Sequence, residues 1–330
     1  MSIPQILNSP WNNTQNLSFD NSLYQLEKLL NTFGISRNTF EEEWSNNQRI
    51  IHKLSSIELV KYDWIWCFYL PFISYLKSLL STNSDKLIIG ISGLPGTGKS
   101  TCGKYLEALS TDINIPINVI SMDDFYLPSY KLDKVMNGNP WKVPRGLPGS
   151  HSVREITESL DRFIETGILK APQFDKSLRN GLGDRSGYIT SKPSVLILEG
   201  WFLGCLPLKG SDTHNLNVEK NLTTPLNQEE INYRIKTQKI LTSYLPIWEK
   251  LSSIWHLKPE YFSYTSIWKR EQENYQFKTK GSSLQGFNLE SFVRMINASL
   301  PHESLLDIDS DVTVVLSLDR QVKKILTKQR

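Results

Sequence analysis

The chain has 330 residues, enough for one large domain or for one domain with an extension. Its 37 basic and 34 acidic residues nearly balance and form no basic tract, which argues against nucleic acid as a partner. The three cysteines, Cys67, Cys102 and Cys205, are too few and too scattered for a disulfide framework or a zinc site, so a reducing, cytoplasmic location is expected.

Residues 1–84 are expected to form a helical extension packed on the main domain. After an Asn/Ser-rich, irregular stretch over residues 1–18, apolar residues recur at helical spacing. The predicted helices cover residues 23–30, 40–54 and 62–80. The last of these is strongly apolar, but Asp63, Pro71 and Lys77 interrupt it, so no membrane span is expected. No basic residue occurs before position 28, which argues against a targeting segment.

A phosphate-binding loop of the pattern G-x-x-x-x-G-K-[ST] follows the extension, between an apolar strand over residues 87–91 and a helix over residues 99–109. Its glycines let the backbone wrap around phosphate oxygens, and the helix N-terminus faces the anion. Lys99 adds a point charge on the terminal phosphates, and the Ser100 hydroxyl can ligate Mg²⁺. The residues expected to contact ATP are Gly93, Leu94, Pro95, Gly96, Thr97, Gly98, Lys99, Ser100 and Thr101.

Strands alternate with helices over residues 85–330, which predicts an α/β domain. The predicted strands cover residues 87–91, 115–121, 194–198, 253–257 and 312–316. The further predicted helices cover residues 153–164, 228–247, 264–280 and 289–296. This alternation implies a five-stranded parallel sheet flanked by helices on both faces. A polar surface loop is expected over residues 207–228.

Carboxylates follow two of the predicted strands. Asp123 and Asp124 come after the second strand, and Glu199 ends the third. The carboxyl ends of the strands of an open α/β sheet line its ligand crevice. Asp123 is therefore placed to accept a proton from an alcohol that attacks the γ-phosphate, whereas Asp124 is equally well explained as a turn or cap residue. Glu199 has the layout of a Walker-B carboxylate that holds Mg²⁺ or its waters.

Charged side chains also concentrate in two non-periodic segments, residues 144–151 and 173–185, as they commonly do in site loops. Arginines there would suit a small carboxylate substrate, or they are solvated loop charges. The helical segment 268–273 either exposes charged pairs or brings Lys269 or Arg270 onto the transferring phosphoryl group. Spacing alone does not choose between these interpretations.

Taken in order, these motifs resemble the D-glycerate 3-kinase family, within the P-loop kinases that include phosphoribulokinase, uridine kinase and pantothenate kinase. The loop pattern is shared by very many proteins, but the run from Arg145 to His151 and the run Glu199-Gly-Trp201 are far more specific. The resemblance spans most of residues 86–320. The matching segments are residues 93–101, 122–126, 145–151, 174–177, 181–185, 199–204 and 268–273.

The resemblance implies ATP-dependent phosphorylation of D-glycerate to 3-phosphoglycerate, which in photosynthetic organisms closes photorespiratory carbon recovery. It implies ATP and Mg²⁺, with Ser100 and Glu199 at the metal. The expected catalytic residues are then Lys99, Asp123 as general base, and Arg270 as the lid cation. The residues that fall in family motifs and are expected to contact substrate or phosphate are Asp124, Tyr126, Arg145, His151, Lys176 and Arg185.

Two positions depart from the family pattern. Ser152 follows His151 where Asp is usual, and the usual Trp-Arg of the lid is replaced by Trp268-Lys269-Arg270. Lys lacks the bidentate fork of Arg, and the following Arg lies about 100° around the helix. Two alternatives therefore stay open: a P-loop kinase for pantothenate, a nucleoside or a sugar phosphate, and a kinase-like ATP-binding regulatory protein without turnover. No Asn-Lys-x-Asp segment supports a GTPase switch.

Overall fold

The computed structural model describes residues 9–11, 22–57, 60–82, 86–208, 216, 219, 222–280 and 283–328. The irregular stretch expected over residues 1–18 and the polar loop expected over residues 207–228 lie mostly outside the described residues. The three cysteines are free and buried. In the part of the chain that the structure describes, no helix is long and apolar enough to cross a membrane.

In the described residues, eight strands form one large sheet and one separate hairpin. They are β1 (Leu87–Gly93), β2 (Ile117–Ser121), β3 (Leu169–Asp175), β4 (Asp184–Ser191), β5 (Val195–Gly200), β6 (Ser253–Pro259), β7 (Val312–Leu316) and β8 (Val322–Thr327). The large sheet has the order β2-β5-β1-β6-β7-β8, and its first five strands are parallel. The predicted α/β fold with five parallel strands is therefore confirmed.

The antiparallel edge strand β8 was not predicted from the sequence. It pairs with β7, and a register shift between Val315 and Leu316 disturbs the pairing. In consequence its buried residues, Val322 and Ile325, are three positions apart rather than two. The strict alternation that marks a half-buried strand is therefore missing from the sequence.

The hairpin of β3 and β4 replaces part of a segment that was expected to be irregular. The two strands pair antiparallel, from Leu169 with Ser191 to Asp175 with Asp184. Here too a register shift, opposite Gln173 and Phe174, places an extra residue, Ser186, in β4 and disturbs the alternation of burial along that strand. The hairpin carries the polar segment 173–185 at its tip.

The helices agree with the prediction except at a few interruptions and additions. They are α1 (Ser22–Thr32), α2 (Arg37–Asn46), α3 (Gln48–Ser55), α4 (Tyr62–Trp64), α5 (Leu70–Thr82), α6 (Lys99–Ala108), α7 (Ser129–Met136), α8 (Val153–Thr166), α9 (Gln228–Leu241), α10 (Leu245–Trp248), α11 (Tyr264–Lys280), α12 (Gly286–Ala298) and α13 (His302–Leu306). The single helix predicted over residues 40–54 is divided at Asn47, whose backbone is non-helical and whose side chain donates to the Glu43 carbonyl (2.7 Å).

Between α4 and α5 the chain forms a π-helical turn, Ile65–Tyr69. Pro71 explains it, because proline has no N–H with which to continue the α-helical ladder. The Leu70 amide instead donates to the Ile65 carbonyl, one residue further back than in an α-helix. The helix predicted over residues 62–80 is thus present as one continuous helical segment that contains a widened turn.

The helices of residues 22–82 cover one face of the large sheet. Phe68, Phe72 and Tyr75 surround Trp255 of β6, with ring centroids 5.6, 4.8 and 6.1 Å away. These rings belong to a continuous apolar cluster that includes residues of β1, β5, β7 and β8. The N-terminal region therefore supplies one of the two helical layers that a parallel sheet requires. A second cluster, which includes the buried face of α8, covers the opposite side.

Candidate active site

The phosphate-binding loop runs from the end of β1 into α6. Gly93, Gly96 and Gly98 have φ angles of +154°, +85° and +99°, a region that other residues rarely adopt. A Cβ on Gly96 would lie 2.4 Å from the Cβ of Trp268, so no larger residue fits there. The loop thus has the glycine-shaped backbone, followed by a ten-residue helix, that binds phosphate groups.

Lys99 lies inside this loop and is almost completely buried. Its Nζ donates to the Leu94 carbonyl across the loop (3.2 Å). Burial lowers the pKa of Lys99, and the negative charges of Glu199 and Asp123 oppose that shift. The ammonium group therefore lies inside the phosphate-binding loop, where the charges of both carboxylates act on it.

Strand pairing brings Glu199 to the loop. Glu199 is in register with Ile91 of β1 on one side and with Ser121 of β2 on the other. Its Oε1 accepts a hydrogen bond from the Ser100 hydroxyl (2.8 Å). A hydroxyl and a carboxylate in contact beside a phosphate cradle are a suitable donor set for Mg²⁺, which takes few protein ligands when phosphates supply the others.

Asp123 and Asp124 follow β2 in a short 3₁₀ turn, Met122–Phe125, and have different surroundings. The Asp124 carboxylate accepts from the Ser121 amide (2.9 Å) in a capping box, which agrees with the interpretation as a cap residue. Asp123 instead accepts from Lys176 Nζ through Oδ2 (2.5 Å). Burial by itself would raise the pKa of Asp123, but Lys176 and His151 outweigh it and hold that pKa well below its usual range.

His151 lies on the other side of Asp123. Its Nε2 is 3.8 Å from Asp123 Oδ1, and its Nδ1 is 3.2 Å from the Tyr244 hydroxyl oxygen. That oxygen accepts from the Gly149 amide (2.9 Å), so its own proton is directed to Nδ1. Nε2 then carries the imidazole proton and faces Asp123. The Tyr126 ring stacks on the imidazole, with centroids 4.5 Å apart, and holds it from the side.

Lys176, Arg145 and Arg185 come from the hairpin and the loop beneath it, but they have different partners. Lys176 is half-exposed and turned to Asp123. Arg145 Nη1 donates to the Gly181 and Leu182 carbonyls (2.7 and 2.9 Å), so it supports the hairpin tip.

Arg185 is fully engaged in structural contacts. Its Nη2 pairs with Glu155 (2.6 Å), its Nε donates to the Tyr126 carbonyl, and Nη2 also reaches the Phe125 carbonyl (3.4 Å). The substrate contact expected for Arg185 is therefore not supported by its surroundings. Its guanidinium instead connects α8 to the turn that carries Asp123.

Helix α11, the candidate lid, buries Lys269 and leaves Arg270 at the surface. Arg270 pairs with Glu290 of α12 at the surface (Nη2 to Oε2, 2.8 Å). Lys269 is buried and pairs with Glu273. Burial lowers the pKa of Lys269, and Glu273 opposes that shift. The charges of Lys176 and Asp123 also influence the pKa of Lys269. The role expected for Arg270 as the lid cation does not fit this geometry, because neighbouring helical positions point about 100° apart.

The departure at Ser152 has a local explanation. Ser152 is the N-cap of α8, and its hydroxyl accepts from the Glu155 amide (3.4 Å). Aspartate and serine are both good N-cap residues, so either one can start this helix directly after His151. The exchange leaves the imidazole contacts unaffected.

The structure thus brings together most of the predicted site residues and adds one. Those that share the crevice are Lys99, Ser100, Asp123, Tyr126, His151, Lys176 and Glu199. Sequence analysis missed Tyr244, which lies in the 3₁₀ turn Thr242–Tyr244 between two helices. No motif marks this position, since a tyrosine in a helical apolar stretch is usually a core residue. Among the described residues no group of three or more His, Cys, Asp or Glu is arranged to hold a metal.

Comparison with known proteins places this fold and site among named kinases. No protein-family model matches the chain. It is 30% identical over 240 residues to an uncharacterized kinase of Schizosaccharomyces pombe, a match that covers 69% of this chain and 84% of that protein. It is 29% identical over 231 residues to the chloroplastic D-glycerate 3-kinase of Arabidopsis thaliana, covering 63% of this chain but only 48% of that relative.

A solved structure has the same fold. The D-glycerate 3-kinase from Cryptococcus neoformans var. grubii superposes with a TM-score of 0.66 at 21% identity, covering 78% of this chain and 98% of the other. With the phosphate-binding loop and the carboxylates at the strand ends, these similarities define the class: the protein is a P-loop kinase, an ATP-dependent kinase of small molecules. Within that class the chain belongs to the D-glycerate 3-kinase family.

Proposed function

We propose that this protein transfers the γ-phosphoryl group of ATP to the 3-hydroxyl of D-glycerate and forms 3-phospho-D-glycerate. The single observation that carries this proposal is the position of Asp123. Its carboxylate lies at the carboxyl end of β2, near the buried loop cation Lys99, and is held between Lys176 and His151. An acceptor hydroxyl bound at Asp123 would be directed at the loop that holds the triphosphate.

Asp123 would act chiefly by orienting the hydroxyl. Its pKa is well below the usual range, so it is ionised at neutral pH and accepts a hydrogen bond from the hydroxyl. Phosphoryl transfer passes through a loose transition state in which the attacking oxygen is only weakly bonded. A weakly basic carboxylate is sufficient there, because the proton leaves the oxygen late.

Cationic side chains neutralise the charge of the reacting groups. Lys99 lies in the loop, Lys269 approaches from the lid, and Lys176 stands on the acceptor side. D-glycerate brings a carboxylate in addition to the triphosphate, so an excess of positive charge suits it. We assign Lys176 to that carboxylate, with Nε2 of His151 as a further donor to a substrate oxygen.

Ser100 and Glu199 would hold Mg²⁺, which supplies positive charge to the β- and γ-phosphates. Glu199 keeps the Ser100 hydroxyl in place through their hydrogen bond. A cytoplasmic location and a role in photorespiratory glycerate recovery remain predictions that rest on cysteine usage and on the family resemblance, respectively.

The decisive experiment is ADP release by the purified protein with Mg²⁺-ATP and a panel of acceptors. The panel comprises D-glycerate, L-glycerate, pantothenate, uridine and ribulose 5-phosphate. We expect saturable turnover with D-glycerate alone, with 3-phosphoglycerate identified as product. Turnover with another acceptor would keep the mechanism and overturn the substrate. Tight ATP binding without turnover of any acceptor would favour a regulatory nucleotide-binding protein.

A further inference from the structure

The turn between β7 and β8, residues 318–320, contacts the phosphate-binding loop. Arg320 donates from Nε to the Gly96 carbonyl (2.8 Å) and pairs through Nη2 with Glu271 of the lid helix (2.9 Å). Its guanidinium lies 5.2 Å from the ring centroid of Trp268, the residue that packs on Gly96. One side chain thus contacts both the phosphate-binding loop and helix α11, which packs on that loop through Trp268.

This contact holds one peptide unit of the loop at both ends. The carbonyl between Gly96 and Thr97 accepts from Arg320, and the amide of the same unit donates to the Leu94 carbonyl (3.3 Å). A peptide unit is planar, so two fixed hydrogen bonds determine its orientation. A loop that is already ordered before the nucleotide arrives loses less conformational entropy when it binds.

The N-terminal helices hold the turn between β7 and β8. Three residues at the start of α4 reach it: Trp64 Nε1 donates to the Arg320 carbonyl (2.6 Å), Lys61 Nζ donates to the Asp319 carbonyl (3.2 Å), and Asp63 accepts from the Val322 amide (2.5 Å). Arg320 adopts a φ of +56°, which is unfavourable for a residue with a side chain. Such a backbone persists when its surroundings enforce it; the Arg320 amide donates to the Ser317 carbonyl within the turn (2.9 Å), and Trp64 binds the Arg320 carbonyl from outside it.

We propose that Arg320 is a positioning residue for the phosphate-binding loop and that Trp64 of the N-terminal helices holds Arg320 in place. The N-terminal region then serves ATP binding as well as covering the sheet. This inference rests on ATP binding by the loop, which is part of the proposed function, but it does not depend on which acceptor is used. Neither residue belongs to the loop motif or to the acceptor side.

The test is the Kd of Mg²⁺-ATP, measured by calorimetry on the full chain without acceptor, for four variants. Arg320→Asn removes the guanidinium and keeps a residue that tolerates positive φ. Arg320→Lys keeps the charge but lacks the planar fork. Trp64→Phe removes the indole donor and keeps a ring. Trp44→Phe is the matched control, because the Trp44 indole donates only to Ser74, within the N-terminal helices (3.0 Å).

We expect Kd to rise about tenfold in Arg320→Asn and about threefold in Arg320→Lys and Trp64→Phe, as loss of one hydrogen bond to a charged or buried group predicts. Trp44→Phe should bind ATP as the wild type does. The KM for the acceptor should stay within about twofold in all four variants, because the acceptor side is untouched. A purely structural defect would instead lower the active fraction and leave both the Kd of ATP and the KM of the acceptor unchanged.

Wild-type affinity in Arg320→Asn, or equal weakening in Trp44→Phe and Trp64→Phe, would overturn the proposal. If Arg320→Asn fails to fold, wild-type affinity in both Arg320→Lys and Trp64→Phe would overturn it instead. A wild-type protein that binds no ATP contradicts this inference and the proposed function together. One that binds ATP but leaves D-glycerate unchanged contradicts only the proposed function, and the variants' Kd values still decide the role of Arg320.

Discussion

The nucleotide side and the acceptor side of the candidate site are held together by different forces. On the nucleotide side, the loop of residues 93–101 has its shape from glycine backbone conformations and from the close contact of Gly96 with Trp268. On the acceptor side, ion pairs between distant segments place the groups, with Lys176 on Asp123 as the central pair. The glycine conformations are encoded within the nine residues of the loop, whereas every ion pair on the acceptor side joins segments that are distant in the chain. Substitutions on the two sides should therefore change different constants.

The largest expected effect is a loss of kcat when Asp123, which lies between the two sides, is substituted. Asp123→Asn should lower kcat about 1,000-fold, because the amide neither accepts the proton nor orients the hydroxyl as a carboxylate does. The Kd of ATP should remain within about threefold. Steady-state kinetics with D-glycerate and calorimetry with ATP measure the two quantities. Asp124→Asn is the matched control: asparagine still caps the turn, so kcat should fall less than about fivefold. An Asp123→Asn enzyme with wild-type turnover would refute the assignment.

A second comparison separates two adjacent lid residues. Lys269→Met should lower kcat about 100-fold, since it removes a buried positive charge near the transferring group. Arg270→Met should change kcat less than about threefold, because Arg270 pairs with Glu290 at the surface. Thermal melting is followed in parallel, as Glu273 loses its partner in the first variant. Equal loss in both variants, or a larger loss in Arg270→Met, would reverse the assignment.

The acceptor side should respond through KM and pH. Lys176→Met should raise the KM for D-glycerate about tenfold and leave the KM for ATP unchanged. Without Lys176, less positive charge opposes the effect of burial on Asp123, so its pKa rises and the carboxylate protonates at a higher pH. The acid limb of the kcat/KM profile should therefore move to higher pH than in the wild type. Lys170→Met, on the exposed side of β3, serves as control. An unmoved acid limb would contradict the electrostatic account.

The smallest effect on turnover is expected for Arg185, whose contacts are structural. Arg185→Met should lower the free energy of unfolding by about 2 kcal/mol, because charge-assisted hydrogen bonds to Glu155 are lost. The KM values should stay within about twofold once the folded fraction is accounted for. Arg154→Met removes the exposed pair with Glu158 on the same helix and should leave the free energy of unfolding nearly unchanged. Denaturant titration distinguishes the two. A selective rise in the KM for D-glycerate would return Arg185 to the substrate site.

The comparison also explains how far the sequence could predict the site. The loop, the parallel strands and the carboxylates that end them are encoded by neighbouring residues, and all were predicted. The roles of the charged residues were not predicted. In a sequence, an arginine of a polar loop looks the same whether it binds a substrate or a carboxylate of its own chain. For this reason the sequence did not reveal that Arg185 and Arg270 pair with Glu155 and Glu290, and their expected roles remain predictions. Tyr244 was missed because its contact with His151 joins segments 93 residues apart.

The strand β8 has a consequence for how the chain is made. Its Ile325 amide donates to the Gln25 side chain, a contact between residues 300 positions apart. At ribosomal speeds, roughly 15–60 s separate the synthesis of these two residues. The part of the N-terminal helices that packs on β8 must remain uncovered, or be shielded by chaperones, until the last strand of the sheet emerges. Folding should therefore be slow and limited by this long-range closure rather than by helix formation.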